Sequence, residues 1–118
     1  MKILMVEPGE APRITEVENE LKALQGVVGG YIEVIAPWPD PVLLVCDEEG
    51  LYKDTPWNRG IKGTFFLCGV DGEDFAGFPE ELAEKCKRLL ACSRAASLQK
   101  TVFRVYYTQD YGTRRQRS

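Results

Sequence analysis

The stretch "GTFFLCGV", residues 63–70, decides the fold because it is an apolar run with a glycine near each end. Such a run is typical of a strand whose two faces are both buried. A second apolar run, "VLLVC" at residues 42–46, has the same character. We therefore predict two buried strands, of which 42–46 suits the centre of a sheet.

Further strands and two helices are predicted around these two segments. Apolar residues at helical spacing indicate one helix that ends at Gly29 and Gly30, and a second that begins at Pro79. The order of elements predicts an α+β domain with a mainly antiparallel sheet of about five to six strands and two helices packed on one face. The remaining predicted strands are residues 2–6, 13–18, 31–36 and 101–111.

The chain of 118 residues has the length of one ordinary domain. We assign residues 1–94 to a single α+β domain, and residues 95–118 to a C-terminal extension with an edge strand and a basic tail. The strand at 101–111 alternates in polarity, so it could pair at the sheet edge or between chains. Association into a homo-oligomer is expected to use this strand.

Charge is distributed unevenly along the chain. Residues 1–84 carry 17 acidic and 6 basic residues, whereas residues 85–118 carry 9 basic residues and 1 acidic residue. One interpretation is a helix whose basic end complements its dipole, followed by a basic tail. The other is a basic face for nucleic acid, nucleotide phosphates or an acidic partner. Nucleic acid is the least favoured partner, because the acidic remainder of the surface would repel a polyanion.

The residue types present argue against an enzyme and against a metal site. The chain has no histidine, which excludes a Ser-His or Cys-His nucleophile pair. Its four cysteines lack the CxxC spacing of zinc and redox sites, and we interpret them as small buried apolar residues. No run approaches the roughly 20 apolar residues of a membrane span. We expect a cytoplasmic protein with no catalytic residue, no metal and no cofactor.

A polar pair in "TPWNRG", residues 55–60, lies just before the second apolar strand and is the strongest indication of a binding site. The guanidinium fork of Arg59 suits phosphate or carboxylate, and the amide of Asn58 suits a base edge. Trp57 or Tyr31 could supply a ring for stacking. The structural alternative is an asparagine that binds its own turn backbone and an arginine paired with a nearby acid.

Several segments occur in the order seen in one small family of proteins. They are "LQGVVGGYIEVI", "DEEG", "PWNRG", "GTFFLCGV" and "EDF". Together they resemble the domain of unknown function 3846 family over roughly residues 2–90. The resemblance implies no settled activity, but it implies a setting: a small cytosolic protein of a phage or conjugative element inside a bacterial host cell. The chain departs from the family pattern at Asp47, where the family typically shows asparagine, and in the basic segment after residue 94.

Small proteins in this setting often counter host defence, which is an argument from context. With the Asn-Arg pair, it leads us to expect a non-enzymatic protein that sequesters a small anionic ligand, foremost a cyclic or ADP-ribose-type immune signalling nucleotide. The alternative is a protein-binding inhibitor or accessory factor that acts on a host defence protein through residues 101–111 and the basic end.

Each candidate residue of the ligand site has an expected contact. Arg59 and Thr64 would contact phosphate, and Asn58 would contact a base or ribose edge. A ring would stack on the base, and Glu33 would accept a hydrogen bond from a ribose hydroxyl or hold the arginine in place. The expected ligand-binding residues are therefore Tyr31, Glu33, Trp57, Asn58, Arg59 and Thr64.

Overall fold

The computed structural model describes residues 1–92 and 103–105, in which two helices accompany an antiparallel sheet. The helices and strands, in chain order, are β1 Lys2–Val6, β2 Arg13–Glu16, α1 Leu21–Val28, β3 Ile32–Ala36, β4 Val42–Asp47, β5 Trp57–Asn58, β6 Ile61–Lys62, β7 Phe65–Asp71, β8 Asp74–Ala76, α2 Ala83–Cys92 and β9 Phe103–Val105. The sheet has the strand order β2-β1-β7-β4-β3-β9, and β8 pairs with the far end of β7. Strands β5 and β6 form a separate two-stranded hairpin. Single turns of 3-10 helix lie at Gly50–Tyr52 and Glu80–Leu82.

The α+β class and the mainly antiparallel sheet are as predicted, and the two apolar runs lie side by side within it. β4 pairs with β7 so that Leu44 faces Leu67 and Val45 faces Phe66. Every residue of β4 is buried, as are the first five residues of β7. Because β7 also pairs with β1, both runs occupy the interior of the sheet.

The two helices cover opposite faces of the sheet, so the prediction that both pack on one face is wrong. Successive side chains of a strand point to opposite faces, and each central strand therefore contributes to two cores. Helix α2 packs on one face, in a cluster that includes Leu44, Leu67, Cys86 and Leu90. Helix α1 packs on the other face, in a cluster that includes Leu24, Val28, Val45 and Phe66.

Continuous burial along the central strands is the physical reason for this arrangement. A strand that is covered on one face alternates apolar and polar residues, whereas β4 and the start of β7 are apolar on both faces. Helices on a single face would leave half of these side chains in water. Each helix instead buries one face, at about 25 cal/mol for each Å² of apolar surface removed from water.

A close backbone approach occurs between β7 and the residue that follows β8. Gly69 lies in β7, and a Cβ atom at this position would stand 2.4 Å from the backbone oxygen of Gly77. We expect Gly69→Ala to lower the free energy of unfolding by about 1–3 kcal/mol, because the backbone must shift to accept the methyl group. Urea unfolding monitored by circular dichroism measures this change.

Gly26 in helix α1 is the matched control for that substitution. A Cβ atom there would meet no atom within 4 Å. Gly26→Ala should therefore raise the free energy of unfolding, by about 0.5–1 kcal/mol, because alanine loses less backbone entropy in a helix. Equal effects of the two substitutions would contradict the steric argument.

Residues 103–105 contribute one short strand to the described structure. β9 pairs antiparallel with the outer edge of β3, where Val34, Ile35 and Ala36 face Val105, Arg104 and Phe103. A strand in this part of the chain was predicted over 101–111, to pair at the sheet edge or between chains. The other residues of that prediction, and the basic tail, lie outside the described residues.

Candidate functional site

The Asn-Arg pair lies in the tight β5–β6 hairpin. Asn58 faces Ile61 across the hairpin, which leaves Arg59 and Gly60 as the two turn residues. Both have positive φ, +54° for Arg59 and +96° for Gly60. This is the backbone of a type I′ turn, the connection that matches the twist of two short antiparallel strands.

The side chain of Asn58 is buried and bonded to the protein's own backbone. Its amide nitrogen donates to the carbonyl of Val6 and to that of Gly63, each at 2.9 Å. Its oxygen accepts a hydrogen bond of 2.7 Å from Arg59 Nη1. The bond to Gly63 agrees with the structural alternative for this residue, whereas the bond to Val6 ties the hairpin to the end of β1, which that alternative did not include.

The guanidinium of Arg59 holds the loop between β1 and β2. Nη1 donates to the carbonyl of Glu7 at 3.2 Å, and Nη2 donates to the carbonyl of Glu10 at 2.5 Å. These acceptors are backbone oxygens and not the carboxylates that the structural alternative assumed. A planar fork bound to two carbonyls of one loop fixes the conformation of that loop.

Two exposed rings and two half-buried lysines lie on the neighbouring surface, which we call the aromatic–lysine face: Tyr31, Lys53, Trp57 and Lys62. The exposed fractions are 56% for Tyr31 and 54% for Trp57. Lys62 links Trp57 to Lys53, because its ammonium lies 5.6 Å from the centre of the Trp57 ring and donates to the carbonyl of Lys53 at 2.9 Å. Large exposed rings beside cations are typical of recognition surfaces.

An open pocket lies at the Tyr31 end of this face. It has a volume of about 220 Å³ and is lined by Gln25, Gly30, Tyr31, Glu49 and Lys53. The lining combines a ring, an ammonium, an amide and a carboxylate, so it offers a stacking surface with hydrogen-bond donors and acceptors of both charges. Such mixed chemistry suits a small polar ligand with an unsaturated ring.

Lys53 is held in position by two acceptors. Its ammonium donates to the carboxylate of Asp47 at 2.7 Å and to the carbonyl of Gly29 at 3.0 Å. Asp47 is nearly buried and also accepts a hydrogen bond from the backbone nitrogen of Glu49 at 2.9 Å. Gly29 caps helix α1 in the left-handed conformation, and the partial negative charge of the helix end favours a cation there.

Because Gly30 has no side chain, the ammonium of Lys53 can lie beside its backbone. A Cβ atom on this residue would lie 2.7 Å from both Asp47 Oδ1 and Lys53 Nζ. Real Cβ atoms do not approach polar atoms so closely, so a side chain at this position would displace the lysine. The glycine doublet, predicted as a helix stop, therefore also shapes one wall of the pocket.

The structure separates the sequence-predicted site residues into two groups. Tyr31 and Trp57 lie on the aromatic–lysine face, whereas Asn58 and Arg59 brace backbone. The remaining two, Glu33 and Thr64, are half-buried and do not line the Tyr31 pocket.

Sequence reasoning missed several residues of the pocket and face. Lys53 follows an exposed tyrosine in the short "LYKD" segment, which was the available signal for it. Nothing in the sequence marked Gln25 as a site residue, because it lies in a helix that was predicted from the spacing of its apolar residues. The missed residues are Gln25, Glu49, Lys53 and Lys62.

The cysteines described by the structure are buried, as the sequence indicated. Cys46, Cys68 and Cys86 all lie in the core. Burial raises the pKa of the Cys86 thiol to about 11, and it also raises the pKa of Cys68. Both of these thiols are therefore protonated at neutral pH, whereas nucleophiles and metal ligands are thiolates.

The described part of the chain contains neither a candidate metal cluster nor a membrane-spanning helix. Within residues 1–92 and 103–105, no group of three or more histidine, cysteine or acidic side chains could hold a metal ion. In the same part of the chain, no helix has the length and apolar character required to span a membrane.

The chain belongs to the family described as domain of unknown function DUF3846, whose family model matches residues 1–91. This match confirms the resemblance that the sequence segments indicated over roughly residues 2–90. Comparison with curated proteins and with solved structures found no match.

Proposed function

We propose that this member of the DUF3846 family is a non-enzymatic binding protein that captures a small anionic, nucleotide-like ligand on the aromatic–lysine face. The observation that carries the proposal is the open pocket lined by Tyr31 and Lys53, beside the pair that Lys62 forms with the exposed ring of Trp57. Proteins bind single-stranded nucleic acids without sequence preference through rings that stack on bases and cations that contact phosphates, and the same contacts suit a nucleotide.

The pocket at Tyr31 is large enough to hold only one part of such a ligand. Its volume of about 220 Å³ is below the range of pockets that enclose a drug-sized molecule, roughly 300–1,000 Å³. A base fits against Tyr31, with Gln25 as the amide for a base edge and Glu49 as the acceptor for a ribose hydroxyl. The rest of the ligand extends along the face towards Lys62 and Trp57.

The charges of the pocket favour a ligand with few phosphates. Asp47 neutralises much of the charge of Lys53, and Glu49 adds a negative charge to the lining. A triphosphate would meet repulsion, whereas a cyclic nucleotide carries one negative charge for each phosphate. Cyclic and ADP-ribose-type signalling nucleotides are therefore the preferred ligand class.

A biological role follows from the proposed setting in a phage or conjugative element. Capture of an immune signalling nucleotide would withhold it from a host defence protein, and this requires affinity without turnover. One stacked ring and two charge-assisted hydrogen bonds, at about 1–3 kcal/mol each, give an affinity in the millimolar to micromolar range before ordering costs.

Thermal unfolding with a nucleotide panel tests the proposal. The panel holds cyclic mononucleotides, cyclic dinucleotides, cyclic ADP-ribose, ADP-ribose and ATP. A ligand at 100 times its Kd adds about 2.7 kcal/mol, which raises the Tm of a chain of this size by about 10 °C. We expect such a shift for a cyclic or ADP-ribose-type ligand and a smaller one for ATP.

Three substitutions locate the site. Tyr31→Ala should abolish the shift because it removes the stacking ring, whereas Tyr52→Ala is the matched control and should retain it. Arg59→Ala should lower the Tm of the unliganded protein and leave the ligand-induced shift in place. If Arg59→Ala removes the shift and Tyr31→Ala does not, the ligand binds at the hairpin instead. A panel without any shift would overturn the ligand proposal.

A second candidate is a protein-binding inhibitor or accessory factor that acts on a host defence protein. It is favoured by the 3-10 turn Gly50–Tyr52, which exposes Leu51 at 53% and Tyr52 at 88%. Exposed tyrosines are among the usual anchors of protein interfaces. Binding to a captured partner should then be lost in Tyr52→Ala and retained in Tyr31→Ala, the reverse of the ligand prediction.

A further inference from the structure

Strand β3 belongs to the core of the sheet, although it lies next to the edge. Ile32, Val34 and Ile35 are buried, and they contribute to the cores on both faces of the sheet. One edge of β3 pairs with β4, and the other pairs with β9. A strand with two apolar faces and an unpaired edge is prone to pair with another chain, and β9 occupies the edge of β3 where this could occur.

The covering strand lies outside the family domain. The family match ends at residue 91, whereas β9 comprises Phe103–Val105, and residues 93–102 separate it from the end of α2. Among the described residues, β9 is the strand that pairs with this edge, and the pairing comprises three residue pairs. The family domain thus presents an acceptor edge, and a tethered segment supplies the strand.

The pairing does not depend on which chain supplies the strand. A β9 from a second copy would make the same antiparallel pairs with Val34, Ile35 and Ala36 as the chain's own β9 makes. The difference in free energy between the two arrangements lies in the tether and in the protein concentration. A strand that belongs to the same chain has an effective concentration on the order of 1 mM, so exchange between chains competes as the protein approaches that concentration.

We propose that the outer edge of β3 is a strand-acceptor site, and that chains exchange residues 103–105 through it to form a strand-swapped dimer. The partner is a second copy of this chain, and the contact is backbone pairing along β3. This inference is independent of the nucleotide proposal, because it uses neither the Tyr31 pocket nor the aromatic–lysine face.

A mixture of two single-cysteine variants tests exchange directly. Ala36 and Phe103 face each other across the β3–β9 pair. Facing residues have Cβ atoms about 4.5–5.5 Å apart, close to the spacing of about 3.5–4.5 Å in a disulfide. When Ala36→Cys and Phe103→Cys chains are mixed near 1 mM with oxidised glutathione, a covalent heterodimer forms only if β9 of one chain pairs with β3 of the other.

Matched mixtures separate exchange from random oxidation. Each variant mixed with the wild-type chain controls for the native cysteines, and Val70→Cys in place of Ala36→Cys places a thiol on an exposed position of β7. We expect heterodimer in the Ala36→Cys and Phe103→Cys mixture and background levels in the controls. Monomer alone, under conditions that close the disulfide within the Ala36→Cys/Phe103→Cys double variant, would overturn the proposal.

Sedimentation of the full chain gives a second measurement that needs no disulfide. The dimer fraction should rise as the concentration of the wild-type chain approaches 1 mM, and a monomer throughout would overturn the proposal. Backbone N–H groups alternate between the two sides of an antiparallel strand, so only one of Arg104→Pro and Val105→Pro removes a donor that faces β3. One variant should lose the dimer, and the other should keep it as the matched control.

Discussion

Asn58→Ala is expected to lower the free energy of unfolding by about 3 kcal/mol, although the residue is polar and lies in a hairpin turn. The substitution removes both donors that the amide offers to the carbonyls of Val6 and Gly63, and it removes the acceptor for Arg59. Leaving a buried polar group without its partner costs about 1–3 kcal/mol, and the Val6 carbonyl lies in the core. Urea unfolding of the purified variant measures the loss.

Arg59→Ala is the companion variant for this measurement. The bonds of Arg59 to the carbonyls of Glu7 and Glu10 are partly exposed, so water can replace them, and we expect a loss of about 1 kcal/mol. An Asn58→Ala protein with unchanged stability would show that the amide does not brace the fold. In that case its function as a ligand contact, as first predicted from the sequence, would again be the preferred hypothesis.

Lys53→Met is expected to cost about 2–3 kcal/mol of unfolding free energy, because it leaves the carboxylate of Asp47 without its cation. The side chain of Asp47 is only 5% exposed, and removal of one partner of a buried ion pair typically costs about 3–5 kcal/mol. The lower figure applies here because the side chain of Lys53 is 39% exposed and solvent screens the pair.

Asp47→Asn provides the rescue for that substitution. In the Lys53→Met background an asparagine carries no charge that needs a partner, and it keeps an oxygen to accept the hydrogen bond from the backbone of Glu49. The double variant should therefore recover most of the lost stability, and the double-mutant cycle should give a coupling energy of about 1–3 kcal/mol. Additive effects of the two substitutions on the free energy of unfolding would contradict the assignment of a stabilising ion pair between Lys53 and Asp47.

The behaviour of Lys53 also affects how the ligand site can be tested. Removal of this lysine changes both the pocket lining and the stability, so loss of binding in a Lys53 variant would have two causes. Tyr31 is exposed and precedes β3, so its truncation changes the pocket at little expected cost in stability. For this reason the nucleotide experiment depends on the tyrosine pair and not on the lysine.

Local patterns in the sequence were sufficient for most of the secondary structure. The strand predicted at residues 2–6 is observed as Lys2–Val6, and the glycine doublet ends α1 as expected. These elements depend on near neighbours in the chain, such as the alternation of apolar residues and the left-handed cap at Gly29. The same patterns did not reveal the face on which each helix packs, although the continuous apolar runs of β4 and β7 were the relevant signal.

The candidate site shows where sequence reasoning stops. The sequence by itself determined that Asn58 and Arg59 bring hydrogen-bonding capacity to a turn-rich segment, and that rings at Tyr31 and Trp57 are available for stacking. Only the tertiary structure decided how that capacity is used, because the acceptors of the turn come from Val6, Glu7 and Glu10, about 50 residues earlier in the chain. A hydrogen bond depends on distance and direction in space, and the sequence contains neither until the sheet has brought β1 beside β7.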